Sequence, residues 1–274
     1  MQVGIFAKTF AGKSPLPVLE AVKAAGYDSA AFNFACAGLA AMPDEVPERV
    51  LTEIRAAVAA TGISLVGLSG TCNLIHPDET ERAAGLRRLA VVIEAARVLG
   101  IPMVTLCTGT RDPLDPWRHH PDNRTPAAWA DLRTALEVVL PVAEAAGVDL
   151  GVEPEGGNVV ASAADARRLL AEMASRRLRI VLDPANLFEH GDRAEVRDIV
   201  SRAIDLLAPD IGMAHGKDRH ADGSIAAAGT GVVDFDAMIE QLTAAGFDGP
   251  LVAHGFEAGE AAGVAAFLKA KVAR

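Results

Sequence analysis

One phrase recurs along this chain: an amphipathic helical stretch ends, a small residue and a glycine follow, and an apolar residue opens a short strand-like run. It reads Ala25-Gly26-Tyr27, Thr61-Gly62-Ile63, Leu99-Gly100-Ile101, Ala146-Gly147-Val148 and Ala245-Gly246-Phe247. Glycine accepts the left-handed conformation that closes a helix, so each phrase marks a helix end feeding a strand. Apolar runs suited to strands lie at Val3–Ala7, Ser29–Phe34, Ser64–Ser69, Met103–Cys107, Asp149–Glu153, Arg179–Asp183, Ile211–His215 and Leu251–His254. Helical patterns fall between and after them, at Leu16–Ala25, Val46–Thr61, Glu79–Leu99, Ala127–Ala146, Ala163–Ser175, Glu195–Ala208, Phe235–Ala245 and Ala261–Val272. Ser162 and Asp234 stand where helix N-caps are wanted. Strict alternation of strand and helix implies a parallel sheet covered by helices. Eight units favour a closed (β/α)8 TIM barrel, and 274 residues suit one such domain spanning 1–274. No Gly-x-Gly-x-x-Gly follows the first strand, which argues against an open dinucleotide-binding sheet.

Composition narrows the partners. The net charge of −10 opposes a nucleic-acid surface, because phosphate contacts need a basic face. The most apolar long region, Leu89 to Cys107, is interrupted by Glu94, Arg97 and Pro102, so it reads as a helix and a strand rather than a membrane span. Three cysteines, Cys36, Cys72 and Cys107, cannot all pair, and the chain opens without a basic segment leading into an apolar one. Both features point to a cytoplasmic protein.

In the second half, four strand-like runs each end in a candidate metal ligand: Glu153, Asp183, His215 and His254. The steps between them are 30, 32 and 39 residues. A βαβ unit takes roughly 30 residues, so the four sit at consecutive strand ends. In a parallel barrel all those ends share one mouth, where barrel enzymes place their chemistry. Two carboxylates and two imidazoles suit a divalent ion of the Mn, Fe, Co or Zn type better than Mg. Such an ion polarises a carbonyl and acidifies the adjacent C–H. Two connections are long, Thr108–Pro126 after the fourth strand and Gly216–Val233 after the seventh, and long loops in compact domains are usually functional or mobile.

Several phrases resemble the xylose isomerase-like TIM barrels, and more narrowly their sugar (phosphate) isomerase/epimerase branch. They are Gly151-Val152-Glu153-Pro154-Glu155, Leu182-Asp183-Pro184-Ala185-Asn186, His215-Gly216-Lys217-Asp218 and Gly249-Pro250-Leu251-Val252. Leu68-Ser69-Gly70-Thr71-Cys72-Asn73 with His76, and Cys107-Thr108-Gly109-Thr110-Arg111-Asp112, extend the likeness over nearly the whole chain. The resemblance implies a metal-dependent isomerase or epimerase that acts on a sugar or sugar-like keto compound through a metal-stabilised enediolate. The alternative is a dehydratase or lyase on a keto-sugar or inosose, using the same enolate. It also implies a small carbohydrate-like substrate and self-association into dimers or tetramers.

By that resemblance Glu153, Asp183 and His215 match three family ligands, with Glu153 also catalytic. The fourth, normally a strand-eight Glu that also acts as base, is His254 here. His254 remains a candidate ligand and base. Glu257, three residues on, and Glu155, beyond Pro154, are candidate replacement carboxylates. Lys217 is a candidate for stabilising oxyanion charge, and Asp218 for orienting His215 or Lys217. Asn186 takes a place where relatives often carry His, and is a candidate contact to a substrate hydroxyl. His76 is a candidate substrate or second-sphere contact, with a capping role the alternative. Arg111 offers a planar fork to a phosphate or carboxylate. Trp117 offers a face for a sugar ring. For both, a loop fixed by internal ion pairs is the competing reading. Gly229-Thr230-Gly231 resembles the family's Gly-rich phrase and is weak evidence of phosphate binding.

Overall fold

Eight parallel strands pair edge to edge until the first meets the last. The structure, a computed structural model, describes residues 1–273, so Arg274, the last residue of the expected domain, lies outside it. Strands β1 (Gln2–Phe6), β2 (Ser29–Phe32), β3 (Ser64–Ser69), β4 (Met103–Leu106), β5 (Asp149–Val152), β6 (Leu178–Leu182), β7 (Ile211–Gly216) and β8 (Pro250–Ala253) close in sequence order. Closure is set by the β1–β8 register, where Val3 faces Leu251 and Ile5 faces Ala253. The helices α1 (Pro15–Ala24), α2 (Glu48–Thr61), α3 (Glu79–Leu99), α4 (Pro126–Ala146), α5 (Ala163–Met173), α6 (Arg193–Leu207), α7 (Phe235–Ala244) and α8 (Ala261–Val272) each follow a strand. The expected (β/α)8 barrel is therefore present.

Local chemistry explains the boundaries. Gly62, Gly100 and Gly147 close α2, α3 and α4 at φ of 74°, 68° and 70°, the left-handed region that glycine enters without strain. Ser162 caps α5 by accepting the Asp165 N–H, and Asp234 caps α7 by accepting that of Ala237. A short antiparallel hairpin, Asp218–Arg219 with Ile225–Ala226, lies in the loop after β7 and was not among the expected elements. Its strands, two residues each, are too short to show a period.

Two layers of apolar packing result. The larger lies between sheet and helices and includes Leu19, Ile54, Leu89, Ile93, Leu136 and Leu182. The smaller fills the barrel itself with Ala31, Met103, Val181, Met213 and Val252. Three inward glycines make room for the two methionines. A Cβ on Gly151 or Gly212 would fall 2.7 or 2.5 Å from Met103, and one on Gly67 would fall 2.9 Å from Met213. The barrel is a filled core with a floor, not a pore.

Candidate metal centre and substrate cavity

Side chains alternate along a strand, so residues two apart share a face. Val181, Met213 and Val252 point into the barrel core, and Gly151 stands against its Met103. Two residues further on, Glu153, Asp183, His215 and His254 must then point inward at the mouth. They do: one ligand atom from each lies within 4.8 Å of every other. Strand pairing stops one residue earlier than expected in β5, β6 and β8, leaving Glu153, Asp183 and His254 just past the sheet. At Asp183 the cause is local, because its Oδ1 accepts the Ala185 N–H at 2.9 Å and turns the chain into a short 3-10 helix.

The four donors crowd one point. Asp183 Oδ2 lies 3.3 Å from His215 Nδ1 and 3.1 Å from His254 Nε2, and the two ring nitrogens are 3.0 Å apart. Glu153 Oε1 is 3.5 Å from His215 Nδ1. Asp183 is fully buried and His215 nearly so. Two carboxylate oxygens and two imidazole nitrogens, all lone-pair donors when the rings are neutral, converge with at most one proton available from each ring. Metal–ligand bonds of roughly 2.0–2.2 Å put neighbouring donors about this far apart. The donor set therefore fits a divalent ion.

Charges around the centre are strongly coupled. Burial alone would raise the Asp183 carboxyl, but Lys217 and the hydrogen bonds from His215 and His254 outweigh it and hold it well below the usual range. Burial pulls the His215 imidazolium down, yet Glu153 and Asp183 overcome this and raise it to about 9. Burial and then the charge on His215 push His254 down. Burial, followed by repulsion from Glu153, lifts Glu155 to about 7.

Asn186 ties the centre to its surroundings. Its Nδ2 donates to Glu153 Oε1 at 2.7 Å, and its Oδ1 accepts from Lys217 Nζ at 2.7 Å. Lys217 Nζ also stands 3.6 Å from Asp183 Oδ2, at the edge of the cluster rather than among its donors. Above the centre opens a cavity of about 480 Å3, bordered by Glu153, Glu155, Asn186, His215, Lys217 and His254 from the second half of the barrel, with Trp117 at its rim. Lys8, Asn33, Ser69, Thr71 and Thr105 complete it from the first half. Sequence reading assigned these five no role. The same parity on β1 to β4 marks them, since Lys8 follows Phe6, and Asn33 follows Ala31, by two residues.

Four of the candidate residues are engaged away from the four donors. Arg111 does not border the cavity: it donates to the Ile75 carbonyl at 2.9 Å and to Asp131 at 2.6 Å, a carboxylate it shares with Arg82. His76 Nδ1 accepts the Asp78 N–H at 3.1 Å and its Nε2 faces the Pro113 carbonyl, which gives it the capping and loop-fixing role. Glu257 is exposed and caps the short 3-10 helix Ala258–Glu260 reciprocally with Glu260, so it does not reach back. Asp218 likewise orients neither His215 nor Lys217. It is fully buried and accepts the backbone N–H groups of Arg219, Gly229, Gly231 and Val233 at 2.8–3.0 Å. The two glycine amides of the Gly-Thr-Gly phrase thus go to Asp218 and the Thr230 N–H to the Ala227 carbonyl, and a Cβ on Gly231 would lie 2.4 Å from that carboxylate. It is not a phosphate cradle.

A family model described as xylose isomerase-like TIM barrel matches residues 19–271. No curated protein matches significantly. Among solved structures, a 3-keto-D-glucoside 4-epimerase from E. coli aligns at 20% identity and TM-score 0.77, over 98% of this chain and 99% of that one. An L-ribulose 3-epimerase aligns at 21% and 0.77, over 99% and 94%. A D-psicose 3-epimerase with D-tagatose, from Clostridium cellulolyticum H10, aligns at 17% and 0.77, over 99% of both chains. At these identities the likeness establishes the shared fold.

Proposed function

Because the chain belongs to the xylose isomerase-like TIM barrel family, we propose that it is a divalent-metal-dependent isomerase or epimerase of a sugar or sugar-like keto compound. The observation that carries this reading is the convergence of Glu153, Asp183, His215 and His254 at the floor of a roomy cavity. Cavities of roughly 300–1,000 Å3 suit small ligands. Solved proteins of the same fold are described as epimerases of ketoses or of a keto-glucoside, which supports the same class here.

Glu153, Asp183, His215 and His254 would hold the ion, and their mixed N/O set suits Mn, Fe, Co or Zn better than Mg. Bound there, the ion would polarise a substrate carbonyl and acidify the neighbouring C–H. Glu153, oriented by Asn186, is the carboxylate best placed to take that proton. The Lys217 ammonium, fixed on the same Asn186, offers positive charge to an oxygen that becomes negative. Asn33, Ser69, Thr71 and Thr105 supply neutral hydrogen-bonding groups suited to hydroxyls.

A lyase is the second reading, and His254 favours it. With an imidazole where the family places a carboxylate, the centre has one carboxylate fewer for moving a proton from one side of a carbon to the other. Elimination needs only one base and one acid. Incubating the Mn-loaded protein with ketohexoses and keto-glycosides in deuterated water, followed by NMR and mass spectrometry, separates the readings. Epimerisation or isomerisation puts deuterium next to the carbonyl and otherwise keeps the formula. Elimination loses water or a glycosidic fragment. No exchange and no product across the panel would count against both.

A further inference from the structure

Beside the cavity over the four donors lies a second one, of about 370 Å3. Trp117, Glu155 and Asn186 border both, so the two form adjoining chambers of one site. The outer chamber is a half-open cleft bordered by the loops that follow β4, β5, β6 and β7, which approach one another at backbone contact. A Cβ on Gly157 would fall 2.3 Å from the Trp117 carbonyl oxygen, and one on Gly223 would fall 2.6 Å from that of Glu189. Asn123 Nδ2 holds the Gly157 carbonyl at 2.9 Å, and Arg219 binds the Ala185 and Gly223 carbonyls at 3.0 and 2.6 Å. Four loops are thereby fastened around a formed space.

The lining selects its occupant. Glu189 and Asp222 face it as carboxylates, together with Glu155, His190 and one guanidinium, Arg219, two of whose donors are spent on carbonyls. A phosphate or carboxylate there would meet like charge, which specific sites avoid. Carboxylates are instead good acceptors for hydroxyl protons. Asp222 is held in place by the Ser224 N–H and hydroxyl. Trp117, half exposed and common to both chambers, offers an aromatic face to an apolar ring surface.

We propose that the outer chamber binds a neutral second sugar ring, so that the site takes a keto-glycoside or keto-disaccharide rather than a free or phosphorylated monosaccharide. This rests on the sugar-directed reading of the inner chamber.

Calorimetric titration of the Mn-loaded protein with D-fructose, fructose 6-phosphate, turanose and lactulose tests it. At least one of the two ketose disaccharides is expected to bind about tenfold tighter than fructose, a difference of ~1.4 kcal/mol. Gly156→Leu is the discriminating variant. A Cβ there meets only Glu189 Oε1 at 3.7 Å, so the new side chain enters the outer chamber from an unstrained backbone. It should bring the disaccharide down to the affinity of fructose, and Trp117→Ala should narrow the same ratio. Because the readout is a ratio within one variant, general unfolding does not imitate it. Equal affinities for fructose and both disaccharides, tighter binding of fructose 6-phosphate, or an advantage that survives Gly156→Leu would each overturn the inference while leaving the epimerase reading intact. Failure of every sugar to bind would overturn both.

Discussion

Asn186 shows how one amide can tie two charged groups of a site together. It holds Glu153 on one side and Lys217 on the other, each at 2.7 Å. Groups that orient metal ligands typically contribute 10–100-fold to metal affinity. Asn186→Ala should therefore weaken Mn binding by roughly that factor, read by titration calorimetry; unchanged affinity would show that Glu153 needs no such support. Tyr27, the chain's single tyrosine, gives an independent test of packing. It is buried and donates to the Ala261 carbonyl at 3.0 Å, and burial raises its phenol far above the ordinary value. Its contribution to stability is complete below the unfolded pKa of about 10 and is lost as pH rises through the folded one. In an alkaline titration, tyrosinate absorbance should appear together with loss of circular dichroism; ionisation near pH 10 with the fold intact would contradict this packing. Such residues also mark where sequence stops informing. Strand ends and the spacing between them brought out Glu153, Asp183, His215 and His254. Nothing in the order of residues says that Arg111 pairs with Asp131, or that Glu257 stands at a helix start.

Strands and helices were legible because each carries its own punctuation. Glycines at helix ends, Ser162 and Asp234 at helix starts, and apolar runs of four to six residues sufficed, with boundaries shifting by only a few positions. The loop after β7 was not legible, because its shape is set by one buried side chain acting across many residues. Asp218 gathers four backbone N–H groups, and no helical or strand period records that. Removing it would take the acceptor from four backbone donors, the Val233 N–H among them fully buried, and leave a buried gap; an unpaired buried donor costs about 1–3 kcal/mol. Asp218→Ala should thus destabilise the protein by about 3 kcal/mol or more in urea denaturation. A change below about 0.5 kcal/mol, the usual effect of a surface substitution, would refute the assigned role.

Barrel closure is what turns spacing into a site. Four residues up to 101 positions apart in the chain meet because successive strands deliver them to one mouth. The similar steps of the repeat made that convergence readable. The cavities were not, since they are bordered by loops whose mutual packing depends on backbone approaches at Gly157 and Gly223. An ion held at the convergence also joins β5, β6, β7 and β8, so it should stabilise the closed barrel by about 2.7 kcal/mol when supplied at a hundredfold excess over its dissociation constant. Metal content and Mn titration of the purified chain and of Asp183→Asn provide the decisive comparison. One divalent ion per chain, lost in the variant, is the expected result. A wild-type chain that binds no divalent ion, or a variant that retains it undiminished, would show that the four donors do not share a cation.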